Sequence, residues 1–74
     1  QGELVRLRED LIFSAARLDA LVHEVRTRYA PGVAFGVADF KSWTGLSRKH
    51  AIPLLEYLDQ RRVTRRRGDQ RIRV

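Results

Sequence analysis

Gly45 is the residue that most narrows how this chain can fold. It separates two segments of helical periodicity. Before it, Val37, Phe40 and Trp43 share one side of a two-turn helix over 37–44. After it, Ala51, Leu54, Leu55 and Leu58 cluster on one face of a helix over 48–61. A glycine just beyond the last periodic residue favours a left-handed cap that stops a helix sharply. Leu46-Ser47 then leads straight into the next helix. Helix, tight glycine-containing turn and helix is the helix-turn-helix layout.

The flanking segments complete a small α+β domain. A chain of 74 residues buries only about 60 % of the surface its unfolded form exposes, so nearly every apolar residue must join one core. A first helix is predicted over 15–29, with Leu18, Leu21, Val22, Val25 and Tyr29 on its apolar face. Ser14 is its cap, with Asp10 as a competitor, and Ala30-Pro31-Gly32 ends it. Residues 33–35 read as a brief strand. Residues 63–74 read as a hairpin around Gly68-Asp69, a type II′ pair. That loop sets Arg67 opposite Gln70, Arg65 opposite Ile72 and Val63 opposite Val74. Period two then puts Val63, Ile72 and Val74 on the core face and Thr64, Arg66, Arg71 and Arg73 on the open one. Three helices with a helix-turn-helix and a C-terminal β-hairpin wing make a winged-helix domain. Pro53, inside the third helix, is expected to kink or loosen its first turn. Phe40 and Trp43, three residues apart on a short helix, are expected in the core rather than as stacking platforms for bases.

Residues 3–8 alternate weakly, as a short strand does, and residues 11–13 form a second apolar run. The first has no evident partner in the sequence. Residues 1–9 are therefore assigned to the tail or edge strand of a preceding domain, and 10–74 to the winged-helix domain. The chain contains no Met, as expected of a piece of a longer protein, and Gln1-Gly2 reads as a cloning remnant. With no Cys, neither a disulfide framework nor a cysteine zinc site is available. His23 and His50 lack a neighbouring ligand pattern, and no nucleophile, carboxylate pair or metal set converges. No apolar run is long enough to span a membrane. The expectation is a cytoplasmic monomer with no cofactor, no metal and no catalytic residue.

The charge is concentrated at one end. Residues 1–43 balance six basic groups against six acidic ones, whereas residues 44–74 carry nine basic groups against Glu56, Asp59 and Asp69. The net charge of +6 thus lies on the last part of the chain, the footprint of an anion-binding face, most often for nucleic acid. Thirteen of the fifteen basic residues are Arg, a bias that a GC-rich genome also produces. Ser47 is a good N-cap, its hydroxyl placed to accept from a backbone N–H two or three residues on. The first turn behind it holds Arg48, Lys49 and His50, although a helix N-terminus ordinarily favours acidic residues. Free N–H groups, a hydroxyl and two cations at one helix end make a phosphate site; the bland alternative is a solvated basic turn. The wing adds guanidiniums that repel one another unless an anion lies across them.

Glu56 and Asp59 on the outward side of the third helix would repel a DNA backbone along a groove. Cations only at the helix start and wing suit a compact target such as an RNA hairpin tip, whose splayed bases are what proteins commonly read. The same stretch resembles the end of the bacterial selenocysteine-specific elongation factor SelB. The residues that carry the likeness are Asp39-Phe40, Gly45, Ser47-Arg48-Lys49, Leu54-Leu55-Glu56-Tyr57, Asp59, Thr64-Arg65-Arg66, Gly68-Asp69 and Arg71. The resemblance implies binding of the selenocysteine insertion sequence (SECIS), an mRNA hairpin beside an in-frame UGA codon. It implies a parent that is a translational GTPase, meeting the ribosome and selenocysteinyl-tRNA through its other parts. None of the GTP-binding motifs is in this chain. The resemblance places Arg48 and Lys49 in the RNA-loop site. Arg67 departs from the family pattern, which is usually apolar there. The candidate RNA contacts are Ser47, Arg48, Lys49 and His50 at the helix start, and Arg65, Arg66, Arg67, Gln70, Arg71 and Arg73 on the wing. The competing classes are a winged-helix DNA-binding regulator and a protein-interaction module for an acidic partner.

Overall fold

The computed structural model describes residues 3–74, so the reading of Gln1-Gly2 lies outside the described residues. The elements run β1 (Leu4–Arg8), β2 (Leu11–Ser14), α1 (Ala15–Arg28), β3 (Ala34–Gly36), α2 (Val37–Thr44), α3 (Arg48–Gln60), β4 (Thr64–Arg67) and β5 (Gln70–Arg73). Ser14 caps α1, its hydroxyl accepting from the N–H of Arg17 at 3.1 Å, so Asp10 is not the cap. Leu18, Val22 and Val25 of α1 are buried, with Leu21 and Tyr29 packed at the margin of the core.

The helix-turn-helix forms as its sequence predicts. Gly45 is left-handed at φ 75° and its N–H donates to the carbonyl of Lys41. Phe40 is fully buried and meets Trp43 edge-on at 5.3 Å. The Trp43 indole N–H donates to the Tyr29 hydroxyl at 3.0 Å, so both aromatics belong to the core assembly. Ala51, Leu54, Leu55 and Leu58 of α3 are all buried against them. Pro53 does not break α3, which runs unbroken from Arg48 to Gln60 with the proline ring buried.

The first strand corrects the expectation that it lacks a partner in this chain. β1 pairs with β2, antiparallel, in the register Leu4↔Ser14, Val5↔Phe13 and Arg6↔Ile12. The alternation sends Val5, Leu7 and Phe13 toward the core. The hairpin is tied to α3 by an ion pair of 2.8 Å between Arg8 and Glu56.

The wing is a three-stranded sheet in the order β3-β5-β4. The predicted register holds: Arg67↔Gln70 and Arg65↔Ile72, with the Val74 N–H donating to the Val63 carbonyl. Gly68 has φ 64°, and Asp69 is not left-handed, as a type II′ loop requires. α3 ends in a Schellman arrangement. Val63 N–H donates to Leu58 carbonyl and Arg62 N–H to Asp59 carbonyl, with Arg62 at φ 61° where glycine is usual. Val63 and Leu58, the hydrophobic pair that accompanies such a cap, are both buried. This cap fixes where the wing departs from the helix.

The faces of the wing are not those the alternation predicts. Arg71 stands opposite both Phe35 of β3 and Arg66 of β4, and Phe35 is a core residue. Part of the face expected to be open therefore points inward: Thr64 and Arg71 are buried there, Arg66 stays exposed, and Val74, expected in the core, is 58 % exposed. Ile72 is buried as expected.

Candidate nucleic-acid interface

The start of α3 presents its first turn to solvent. Ser47 occupies the N-cap position with extended backbone, but its hydroxyl makes no capping hydrogen bond, which corrects the expected role. Its carbonyl instead accepts from the N–H groups of His50 and Ala51, at 3.1 and 2.8 Å. Ser47, Arg48 and Lys49 are exposed and His50 is half-buried. Among the described residues Arg48 has no ion-pair partner, and Lys49 has only a loose one, Asp10 at 3.9 Å. Hydroxyl, uncapped backbone donors and two cations thus share one helix end, an arrangement that attracts phosphate through both charge and dipole.

The β1–β2 turn closes over this end. Arg8, Asp10 and Leu11 join Lys49, His50 and Pro53 around a depression of about 140 Å³. Arg8 is a cation that sequence reasoning missed. Its alternation with Arg6 in a short strand signals only a solvent face. Its place beside α3 depends on the β1–β2 pairing.

On the wing, Arg65, Arg66, Arg67 and Gln70 are exposed. The Nε of Arg66 donates to the carbonyl of Gly68 at 3.0 Å, folding this guanidinium back over the tip. Arg73 is half-buried, its Nη1 bonded to the carbonyl of Val74 and its buried Nε without a partner among the described residues. Arg62, Arg65, Arg66 and Arg73 border a larger groove of about 750 Å³ beside Asp59 at the far end of α3. The two basic groups do not merge into one pocket. Arg48 and Asp59 are separated by about 16 Å along the helix axis at 1.5 Å per residue.

Arg71 stands apart from the other wing arginines. Its side chain is 6 % exposed, and its Nε donates to Asp59 Oδ2 at 3.2 Å. The Thr64 hydroxyl donates to Asp59 Oδ1 at 2.6 Å. Asp59 is thus a buried-side anchor for two strands of the wing rather than a free outward charge. Glu56 is likewise paired, with Arg8. The repulsion expected from these two carboxylates is largely cancelled, so the second half of α3 is close to neutral. Among the described residues no group of three or more His, Cys, Asp or Glu could hold a metal ion, and no helix is long and apolar enough to cross a membrane.

Three comparisons bear on this geometry. A family described as "Elongation factor SelB, winged helix" matches residues 33–73, from β3 to the end of the wing. A selenocysteine-specific elongation factor from Desulfomicrobium baculatum is 37 % identical over 71 residues, covering 96 % of this chain. The chain spans 11 % of the length of that relative. Among solved structures, the mRNA-binding domain of elongation factor SelB from E. coli, in complex with SECIS RNA, matches with a TM-score of 0.71. It is 27 % identical, over 96 % of this chain and 60 % of that one.

Proposed function

This chain belongs to the winged-helix family of elongation factor SelB, and from that premise we propose that it is an mRNA-binding module that grips a SECIS-type stem-loop. The observation that carries this reading is the start of α3. Arg48 is unpaired among the described residues, beside an uncapped Ser47 hydroxyl and free first-turn donors. Such a site takes a loop phosphate or the edge of an extruded base, and Arg offers a two-pronged donor for guanine. The exposed wing residues Arg65, Arg66, Arg67 and Gln70, with part of Arg73, supply contacts to stem phosphates, which position without reading sequence. The role of the module is binding, with no reacting group of its own. In the parent it would direct a selenocysteine-specific, GTP-binding elongation factor to UGA codons during protein biosynthesis in the cytoplasm. The ribosome and selenocysteinyl-tRNA would be met by the remainder of that protein.

One observation speaks for the duplex-DNA alternative: pairing of Glu56 and Asp59 removes their repulsion of a phosphate backbone. It leaves α3 neutral there rather than cationic, so a groove-tracking helix still lacks the charge it needs. Competition binding at matched salt separates the readings. The stem-loop RNA should displace a labelled SECIS-type hairpin well before duplex DNA of equal charge does. Equal displacement would favour a DNA-binding regulator, and no binding of either nucleic acid at low salt would favour a protein-interaction module.

A further inference from the structure

The wing sheet faces α3 with a polar cluster where an apolar one would be ordinary. Thr64 and Arg71 are buried, and each donates to a different oxygen of Asp59, at 2.6 and 3.2 Å. Thr64 lies on β4 and Arg71 on β5, so one carboxylate holds both arms of the hairpin. Apolar packing would hold the wing as firmly but would tolerate sliding. Two directed, charge-assisted bonds fix an angle and a register as well as a distance. Asp59 stands on the last turn of the same helix whose first turn carries Arg48 and Lys49.

From this geometry we infer that Asp59 is a positioning residue for RNA binding. Acting through Thr64 and Arg71, it locks the wing to α3 so that the exposed wing arginines and the helix start stand at a fixed separation before RNA arrives. The inference rests on the proposed RNA-binding reading and assigns Asp59 no contact with RNA. It also removes Arg71 from the set of direct contacts, because its side chain is buried and its Nε already donates to Asp59. A pre-set spacing avoids ordering the wing at the moment of binding, a cost that otherwise subtracts from affinity.

The test is a set of variants measured for hairpin affinity, with the Arg71 side-chain Nε–Hε signal followed by NMR. Asp59→Asn and Arg71→Gln should each weaken binding by about tenfold, a typical size for coupling between separated groups. The double variant Asp59→Asn with Arg71→Gln replaces the ion pair by two amides that can still bond to each other. It should recover to within about threefold of the wild type, since the pair is coupled. The Arg71 Nε–Hε signal in the wild type should persist in water and stay in place when RNA is added. If Asp59→Asn does not fold, Thr64→Val, which keeps the shape and removes one hydrogen bond, should still lower affinity by about threefold. A double variant as weak as Arg71→Gln, or an Arg71 signal that shifts with RNA, would make Arg71 a direct contact and overturn the inference. Wild-type affinity in Asp59→Asn, or in Thr64→Val, would overturn it too. A wild-type chain that fails to bind the hairpin defeats the RNA reading itself, whereas one that binds while the clamp variants are indifferent defeats only this inference.

Discussion

Replacing Arg71 by Ala should destabilise the domain markedly, the reverse of what loss of an arginine on an open wing would do. The Nε of Arg71 makes one charge-assisted hydrogen bond to Asp59 at 3.2 Å, from a side chain only 6 % exposed. Losing such a bond costs about 1.5–3 kcal/mol. The two buried methylenes that Ala lacks, Cγ and Cδ, add up to about 1.6 kcal/mol at roughly 0.8 kcal/mol each. Asp59 keeps the Thr64 hydroxyl and is 24 % exposed, so water can reach the carboxylate and relieve part of the loss. A net cost near 3 kcal/mol follows, against a total stability of about 4–11 kcal/mol for a domain this size. Each kcal/mol moves the melting temperature by roughly 4–8 °C at this length, so a drop of about 12–24 °C is expected. Arg66→Ala is the control. It removes an exposed guanidinium from the same sheet, and its effect should stay within about 0.5 kcal/mol. Calorimetry or far-UV circular dichroism melts of the two variants read the difference directly. An Arg71→Ala melt within a few degrees of the Arg66→Ala melt would refute the buried-clamp reasoning.

The remaining predictions concern the interface itself. Arg48→Lys keeps the charge but loses the two-pronged donor, so it should cost about 1–3 kcal/mol on a cognate hairpin and little on one with a scrambled loop; equal losses in titrations of both hairpins would remove Arg48 from loop reading. With about four phosphates neutralised by the exposed cations, the logarithm of affinity should fall against that of salt concentration with a slope of roughly −3 to −4, and a slope near zero in a salt titration would rule out a phosphate-dominated contact.

The helical framework was legible because it rests on local signals. Gly45 caps α2 with a positive φ, and the apolar set Ala51, Leu54, Leu55 and Leu58 is buried where a period of 3.6 places it. The wing register was legible for a similar reason: a glycine-led two-residue loop allows few pairings. Which face of the wing turns inward was not legible. Alternation gives two faces, and apolar content selects the one carrying Val63, Ile72 and Val74, of which Val63 and Ile72 are buried and Val74 is not. The structure adds β3 on the far side of β5, and Phe35 opposite Arg71 draws Thr64 and Arg71 of the other face into the interior as well. The pairing of β3 with β5 spans more than thirty residues of chain, and no local rule reports it. The partner of β1 is hidden for a different reason: β2 reads as an apolar run, and no turn signal between residues 8 and 11 marks it as the other arm of a hairpin.

The same non-local pairing changes how the charge should be read. A count of basic residues treats every arginine in 44–74 as surface, yet Arg71 is neutralised by Asp59 and Glu56 is matched by Arg8 from the other end of the chain. Those ion pairs leave the net charge of the molecule as it was, so long-range attraction of a polyanion is undiminished. What they alter is where that charge can make contact. It is withdrawn from the second half of α3 and left at the two ends of the element, on Arg48 and Lys49 at the start and on the exposed wing arginines beyond Asp59. Two separated basic sites favour a ligand that presents phosphates to both ends of α3 at once, and competition between a stem-loop RNA and a duplex of equal charge decides which shape does so better.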